Sequence, residues 1–134
     1  MNGSNRQQQQ QHPLEKNVRK GKVTINGVLT DLVLTAYSNK VFIIATQNGK
    51  CGTLVTAERD TKSLSAGATS KDVTYSTKTL IVHREDPYIS LLARNLVAKI
   101  GLTGRSLLLG INIKDLDVAS TKDLIKAIET LKVW

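Results

Sequence analysis

The chain has 134 residues, and its 19 Lys and Arg against 11 Asp and Glu give a formal charge of +8; this length fits a single domain burying roughly 65% of its extended-chain surface. Of the excess, +4 falls in residues 1–22, where Arg6, Lys16, Arg19, Lys20 and Lys22 oppose Glu15, so the remaining 112 residues are only ordinarily basic and an acidic protein surface suits them as well as a polyanion does. One cysteine, Cys51, excludes an internal disulfide, and the longest apolar run, Val41 to Ala45, is far short of the ~20 residues of a membrane helix; with no apolar secretory segment near Met1, these features predict a soluble intracellular protein, cytoplasmic, with any nuclear share left open.

Residues 1–16, with an unbroken Gln7 to Gln11 run, read as a disordered Gln-rich tail ahead of one domain spanning residues 17–134. From Val18 onward, strand-like segments alternate with turn signals. Asn26-Gly27 favours a tight hairpin between strands at Val18 to Ile25 and Val28 to Tyr37, because both central residues tolerate positive φ. Ser38-Asn39-Lys40 leads into a third strand, Val41 to Gln47, and Asn48-Gly49 into a fourth, Cys51 to Glu58. Residues 59–72 lack apolar periodicity and read as a mobile loop before a fifth strand, Val73 to His83.

The apolar period then changes from two to 3.6. Asp86-Pro87 is a helix start, Ile89, Leu92, Leu96 and Ile100 follow at helical spacing, and Gly101 stands where a C-terminal cap belongs. Ser106 to Ile113 returns to strand, and Ser120 with Asp123 suggests a capping box ahead of Leu124, Ala127, Ile128 and Leu131. The predicted fold is α+β: a six-stranded antiparallel sheet in the order β1-β2-β3-β4-β5-α1-β6-α2, with two helices on one face and the other face available for dimerisation.

That second face rests on two strands. A sheet covered on one side only should alternate apolar with polar. Val41-Phe42-Ile43-Ile44-Ala45 does not alternate, and Leu107-Leu108-Leu109-Gly110-Ile111 scarcely does. Two helices cover one face, so either Phe42, Ile44 and Leu108 or the opposite set containing Val41 and Ile43 is left for another sheet, unless the loop and the N-terminal strand close over it. Periodicity does not decide which set turns outward.

The residues for chemistry are few. The histidines are His12 in the tail and His83 at a strand end; a Cys51–His83 pair across neighbouring strands is geometrically possible, but a lone cysteine reads better as a small buried hydrophobe, and two separated histidines with one cysteine give no metal-ligand spacing. Asp115 and Asp117 read as loop acids, and Gly101-Leu102-Thr103-Gly104 as a helix-to-strand turn rather than an RNA-binding loop. A basic RNA- or DNA-binding module is the alternative that the charge allows. One Trp, one Phe and three Tyr supply too few rings for a stacking sheet.

Thr46-Gln47-Asn48-Gly49-Lys50-Cys51-Gly52-Thr53-Leu54-Val55 resembles the central hairpin of the proteasome assembly chaperone 3 family. Asp86-Pro87 with Leu92-Ala93-Arg94-Asn95-Leu96-Val97 is similar to that family's first helix, Leu108-Leu109 through Ile113-Lys114-Asp115 to its last strand, and Val133-Trp134 to its ending. The resemblance spans about residues 17–134 and implies a non-catalytic chaperone without metal or nucleotide. It implies a dimer with proteasome assembly chaperone 4 or with itself, bound transiently to alpha-type subunits, especially alpha subunit 5, during assembly of the 20S alpha ring. Its hairpin motif comprises Thr46, Gln47, Gly49, Lys50, Gly52 and Thr53, and the candidate client contacts are Lys50 and Lys78. Membrane is not among the implied partners, and nucleic acid is the less favoured one.

Overall fold

The computed structural model describes residues 17–60, 74–83 and 85–134. The expected tail of residues 1–16 and most of the expected mobile loop lie outside the described residues. Asn26 and Gly27 take φ of 53° and 77°. They join β1 (Asn17–Ile25) to β2 (Val28–Ala36) with Ile25 opposite Val28, the two-residue hairpin that the dipeptide predicts. Next come β3 (Lys40–Thr46), β4 (Thr53–Arg59), β5 (Tyr75–Ile81), α1 (Pro87–Ile100), β6 (Ser106–Asn112) and α2 (Val118–Thr130).

The α+β class and the six strands are as expected, but the pairing differs from a fully antiparallel meander. The sheet order is β1-β2-β3-β6-β4-β5, with β6 parallel to β3 and antiparallel to β4. The turn at Asn48-Gly49 reverses the chain without closing a hairpin: it leaves β3 and β4 two strand spacings apart, about 10 Å, and β6 fills the gap. The cause is the helical crossover. A strand-helix-strand unit returns the chain parallel to its start, so β6 runs parallel to β5 and must oppose β4, the strand between them. Leu107 to Ile111, apolar on both sides, thereby gains the central position that it needs.

Helix α1 begins as read: Asp86 Oδ1 accepts the Tyr88 N–H at 2.9 Å with Pro87 in the first turn, and Ile89, Leu92, Leu96 and Ile100 are buried. Gly101 follows the helix with an ordinary φ of −62°. Its lack of a side chain serves space rather than conformation, since a Cβ there would stand 2.9 Å from the Tyr75 ring. The left-handed turn falls at Gly104 instead, φ 81°.

Helix α2 starts one turn earlier than the Ser120/Asp123 pattern suggests. Asp117 is the N-cap: its Oδ1 accepts the Ser120 N–H at 2.8 Å, and Ser120 Oγ accepts the Asp117 N–H at 2.8 Å. Ser120 is thus the reciprocal partner of a box and not its first residue. Donation from the Ser120 backbone, then from its hydroxyl, holds the Asp117 carboxyl below the ordinary 3.8.

Both helices lie on one face. Helix α1 packs on β4, β5 and β6, while α2 packs on α1 and on β1, where Leu131 sits against the bare backbone of Gly21. The core between sheet and helices contains Leu32, Leu34, Ile43, Leu92, Leu96, Leu107, Leu109 and Leu124, all fully buried.

Candidate interaction surface

Side-chain parity decides which apolar set turns outward. Val41 and Ile43 are completely buried in the core with the helices, whereas Phe42, Ile44 and Leu108 point the other way and are half-buried. Val41 and Ile43 are therefore removed as candidates for a dimer interface, because the chain's own helices cover them.

Strand register arranges the open face into rows. One row crosses the sheet as Val18, Thr35, Phe42, Leu108, Thr56 and Lys78. The next reads Lys20, Val33, Ile44, Gly110, Leu54 and Ile81. Apolar side chains thus occupy four adjacent strands, and the charged ones stand toward the rim. Val33 and Leu54 belong to this face although the sequence reading omitted them; their signal was the same parity, as the odd neighbour of Leu32 and Leu34 and the even neighbour of Thr53 and Val55. An open hollow lined by Tyr37, Lys40, Phe42 and Leu108 extends the face beyond the β2–β3 turn.

Gly110 has a specific place on this face. A Cβ at residue 110 would collide with the Cys51 sulfur, so the missing side chain makes the slot in which Cys51 lies. Cys51 is exposed, and the His83 backbone N–H donates to Thr53 Oγ1 at 3.0 Å. Among the described residues no group of three or more His, Cys, Asp and Glu could hold a metal ion, and no helix is long and apolar enough to cross a membrane.

The segment Thr46 to Thr53 forms a clasp at one end of the sheet. Gln47 donates through Nε2 to the Ile25 carbonyl and to Thr30 Oγ1, both at 3.1 Å, and its Oε1 accepts the Lys114 N–H at 3.1 Å. Its backbone N–H donates to the Asn112 carbonyl at 3.0 Å. Asn48 Oδ1 accepts from Asn112 Nδ2 at 2.9 Å and from the Lys50 N–H at 3.1 Å. Asn26 Nδ2 closes the far side on the Asp115 carbonyl at 2.7 Å. One connection thus fastens the first hairpin to the end of the inserted strand. Gly52 requires its residue type, with φ 73° and no room for a Cβ against the Ile111 carbonyl oxygen, while Gly49 at φ 79° faces open space.

The two lysines singled out from the sequence are separated. Lys50 is exposed in the clasp loop, away from the strands, whereas Lys78 stands on the outer strand of the open face, opposite Thr56. Phe42, Ile44 and Leu108 are brought together in adjacent strands, Phe42 directly opposite Leu108.

This geometry, a six-stranded sheet with helices on one side only, has counterparts. A chain of the solved structure titled "Crystal Structure of a Novel Chaperone Complex for Yeast 20S Proteasome Assembly" shares the fold, with a TM-score of 0.62 over 86% of this chain and 98% of that chain at 14% identity. Proteasome assembly chaperone 3 of Homo sapiens is 37% identical over 110 residues, 81% of this chain and 86% of the relative. That of Mus musculus is 35% identical over 124 residues, 91% and 97% of the two chains. The family model for proteasome assembly chaperone 3 matches residues 43–131, which run from the third strand to the last helix and include both clasp and crossover. By that match and by these relatives, the chain belongs to the proteasome assembly chaperone 3 family.

Proposed function

We propose that this chain helps to assemble the alpha ring of the 20S proteasome by binding, without catalysis, and that its open sheet face is covered by the sheet of a sister chaperone, proteasome assembly chaperone 4, or of a second copy. The carrying observation is the pair of rows through Phe42–Leu108 and Ile44–Gly110, apolar across four strands that the chain's own helices leave uncovered. A second sheet packed at about 10 Å would bury these side chains at about 25 cal/mol per Å² of apolar surface. The yeast neighbour's title places that protein in a chaperone complex for 20S assembly, which supports the reading. The ring subunit, an alpha-type subunit and alpha subunit 5 in particular, meets a different surface that includes exposed Lys50. Lys78, on the open face, goes with the sister sheet.

The test is affinity purification of the full chain from cells, followed by mass spectrometry. Alpha-type subunits and a second small chaperone should co-purify. Leu108→Asp should lose the small chaperone, and Lys50→Glu should weaken the alpha subunits while keeping it. Retention of both partners by both variants overturns the assignment of surfaces, and absence of alpha subunits from the wild-type purification overturns the function.

A further inference from the structure

We propose that lysines on the two outermost strands of the open face select the sheet that covers it, disfavouring a second copy of this chain and favouring a sister sheet whose outer strands carry Asp or Glu. The inference rests on the sheet-on-sheet reading above and adds a rule for partner choice.

Along β1, the charged side chains on the open face are Lys20 and Lys22; along β5, the charged one is Lys78. The acids of this face, Asp31 and Glu58, stand one strand further in, on β2 and β4. Asp31 is engaged by Lys22 at 3.3 Å. Among the described residues neither Lys20 nor Lys78 has an ion-pair partner. Both edges are therefore basic, and the face between them is apolar at its center, with Lys40 standing at the end of β3.

Two copies packed face to face must be related by a twofold axis lying between the sheets. If the axis runs along the strands, β1 of one copy lies over β5 of the other. If it runs across them, β1 lies over β1 and β5 over β5. Either way a lysine-bearing edge covers a lysine-bearing edge, at a sheet separation of about 10 Å, within one Debye length at 0.1 M salt. Self-pairing thus sets the apolar center against like charge at both rims. A sister sheet of the same architecture with acidic outer strands keeps the center and reverses the sign at the rims, which is how rim charges choose partners.

The chain itself supplies the probe. Lys20→Glu/Lys78→Glu gives a copy with the same center and acidic edges; both positions are exposed, so circular dichroism should match the wild type. Wild type and this variant, carrying tags of different mass, are mixed in equal amounts and weighed by native mass spectrometry at low salt, with light scattering at 50 and 500 mM salt. The pairing ratio, mixed pairs squared over the product of the two self-pairs, is 4 for random pairing and should rise about tenfold at low salt, from rim pairs each worth up to about a factor of five. The ratio should fall toward its random value at 500 mM. A statistical distribution at both salts, a surplus of wild-type self-pairs, or no pair in any mixture overturns the proposal. A third arm adds Leu108→Asp to both copies: loss of all pairing upholds the sheet-on-sheet reading, so a statistical result beside it defeats the charge rule alone, whereas pairing that survives Leu108→Asp defeats the underlying reading.

Discussion

Gln47 Oε1 accepts the backbone N–H of Lys114 at 3.1 Å across 67 residues of sequence. The same side chain donates to Ile25 and Thr30, so one amide satisfies groups from the first hairpin and from the end of β6. Gln47→Ala leaves groups of buried Ile25 and Thr30, and the N–H of exposed Lys114, without their protein bonds, and the expected cost is about 2 kcal/mol, from about 1–3 kcal/mol for an orphaned buried polar group. Gln47→Glu keeps the acceptor for Lys114 and loses the two donors, so it should fall between. Urea unfolding of the three proteins checks the order; equal midpoints would show that water replaces the clasp.

Side-chain parity gives a second expectation. Ile43 and Ile44 are neighbours in β3, yet Ile43 is completely buried under the helices and Ile44 lies on the open face. Ile43→Asp buries an unpaired carboxylate and should cost about 5 kcal/mol or more, comparable with the whole stability of a domain at the lower end of the usual range of about 5–15 kcal/mol. Ile44→Asp should keep the native circular dichroism and, by the sheet-on-sheet pairing proposed above, weaken self-association in light scattering. Two folded variants, or two unfolded ones, would contradict the division of faces.

Gly49 and Gly52 share a left-handed φ and differ in surroundings. At Gly49 an added methyl meets nothing, so Gly49→Ala should cost about 1 kcal/mol from backbone strain alone. At Gly52 it collides with the Ile111 carbonyl oxygen and the flank of Asn112. Gly52→Ala should therefore cost at least about 2 kcal/mol more, because β4 must move away from β6. Thermal unfolding of both variants reads the difference.

What the sequence made legible were features that a few neighbouring residues determine. Asn26-Gly27 specifies its own backbone, Asp86-Pro87 its own cap, and the doubly apolar Val41 to Ala45 its place inside the sheet and away from its edges. The place of β6 was not legible, because pairing between strands more than 60 residues apart leaves no local trace, and the turn at Asn48-Gly49 looks alike whether its strands pair or stand one strand apart. Parity was hidden for the same reason: which of Val41 or Phe42 faces inward depends on where the helices land. The clasp motif was read as a family mark. Its physical meaning appears only when Gln47 and Asn48 reach Lys114 and Asn112. The early start of α2 escaped because Ser120 fits either position of a capping box.

The cap of α2 should also be visible in the pH dependence of stability. Asp117 is exposed, and its carboxyl is held below 3.8 by hydrogen bonds from Ser120 to the charged form. A group whose pKa is depressed in the folded state contributes stability that is fully present above its unfolded value and is lost as pH falls through its folded value. Asp117→Ala should therefore lower the Tm at pH 7, and the gap between variant and wild type should narrow as pH drops below 3.8. Asp117→Asn, which still accepts the Ser120 N–H, should lie closer to wild type at pH 7 and show no narrowing of its own in the acid range. Calorimetry from pH 7 to acid decides the matter, and a gap between alanine variant and wild type that stays constant to low pH would mean that the carboxyl's charge contributes nothing to the cap.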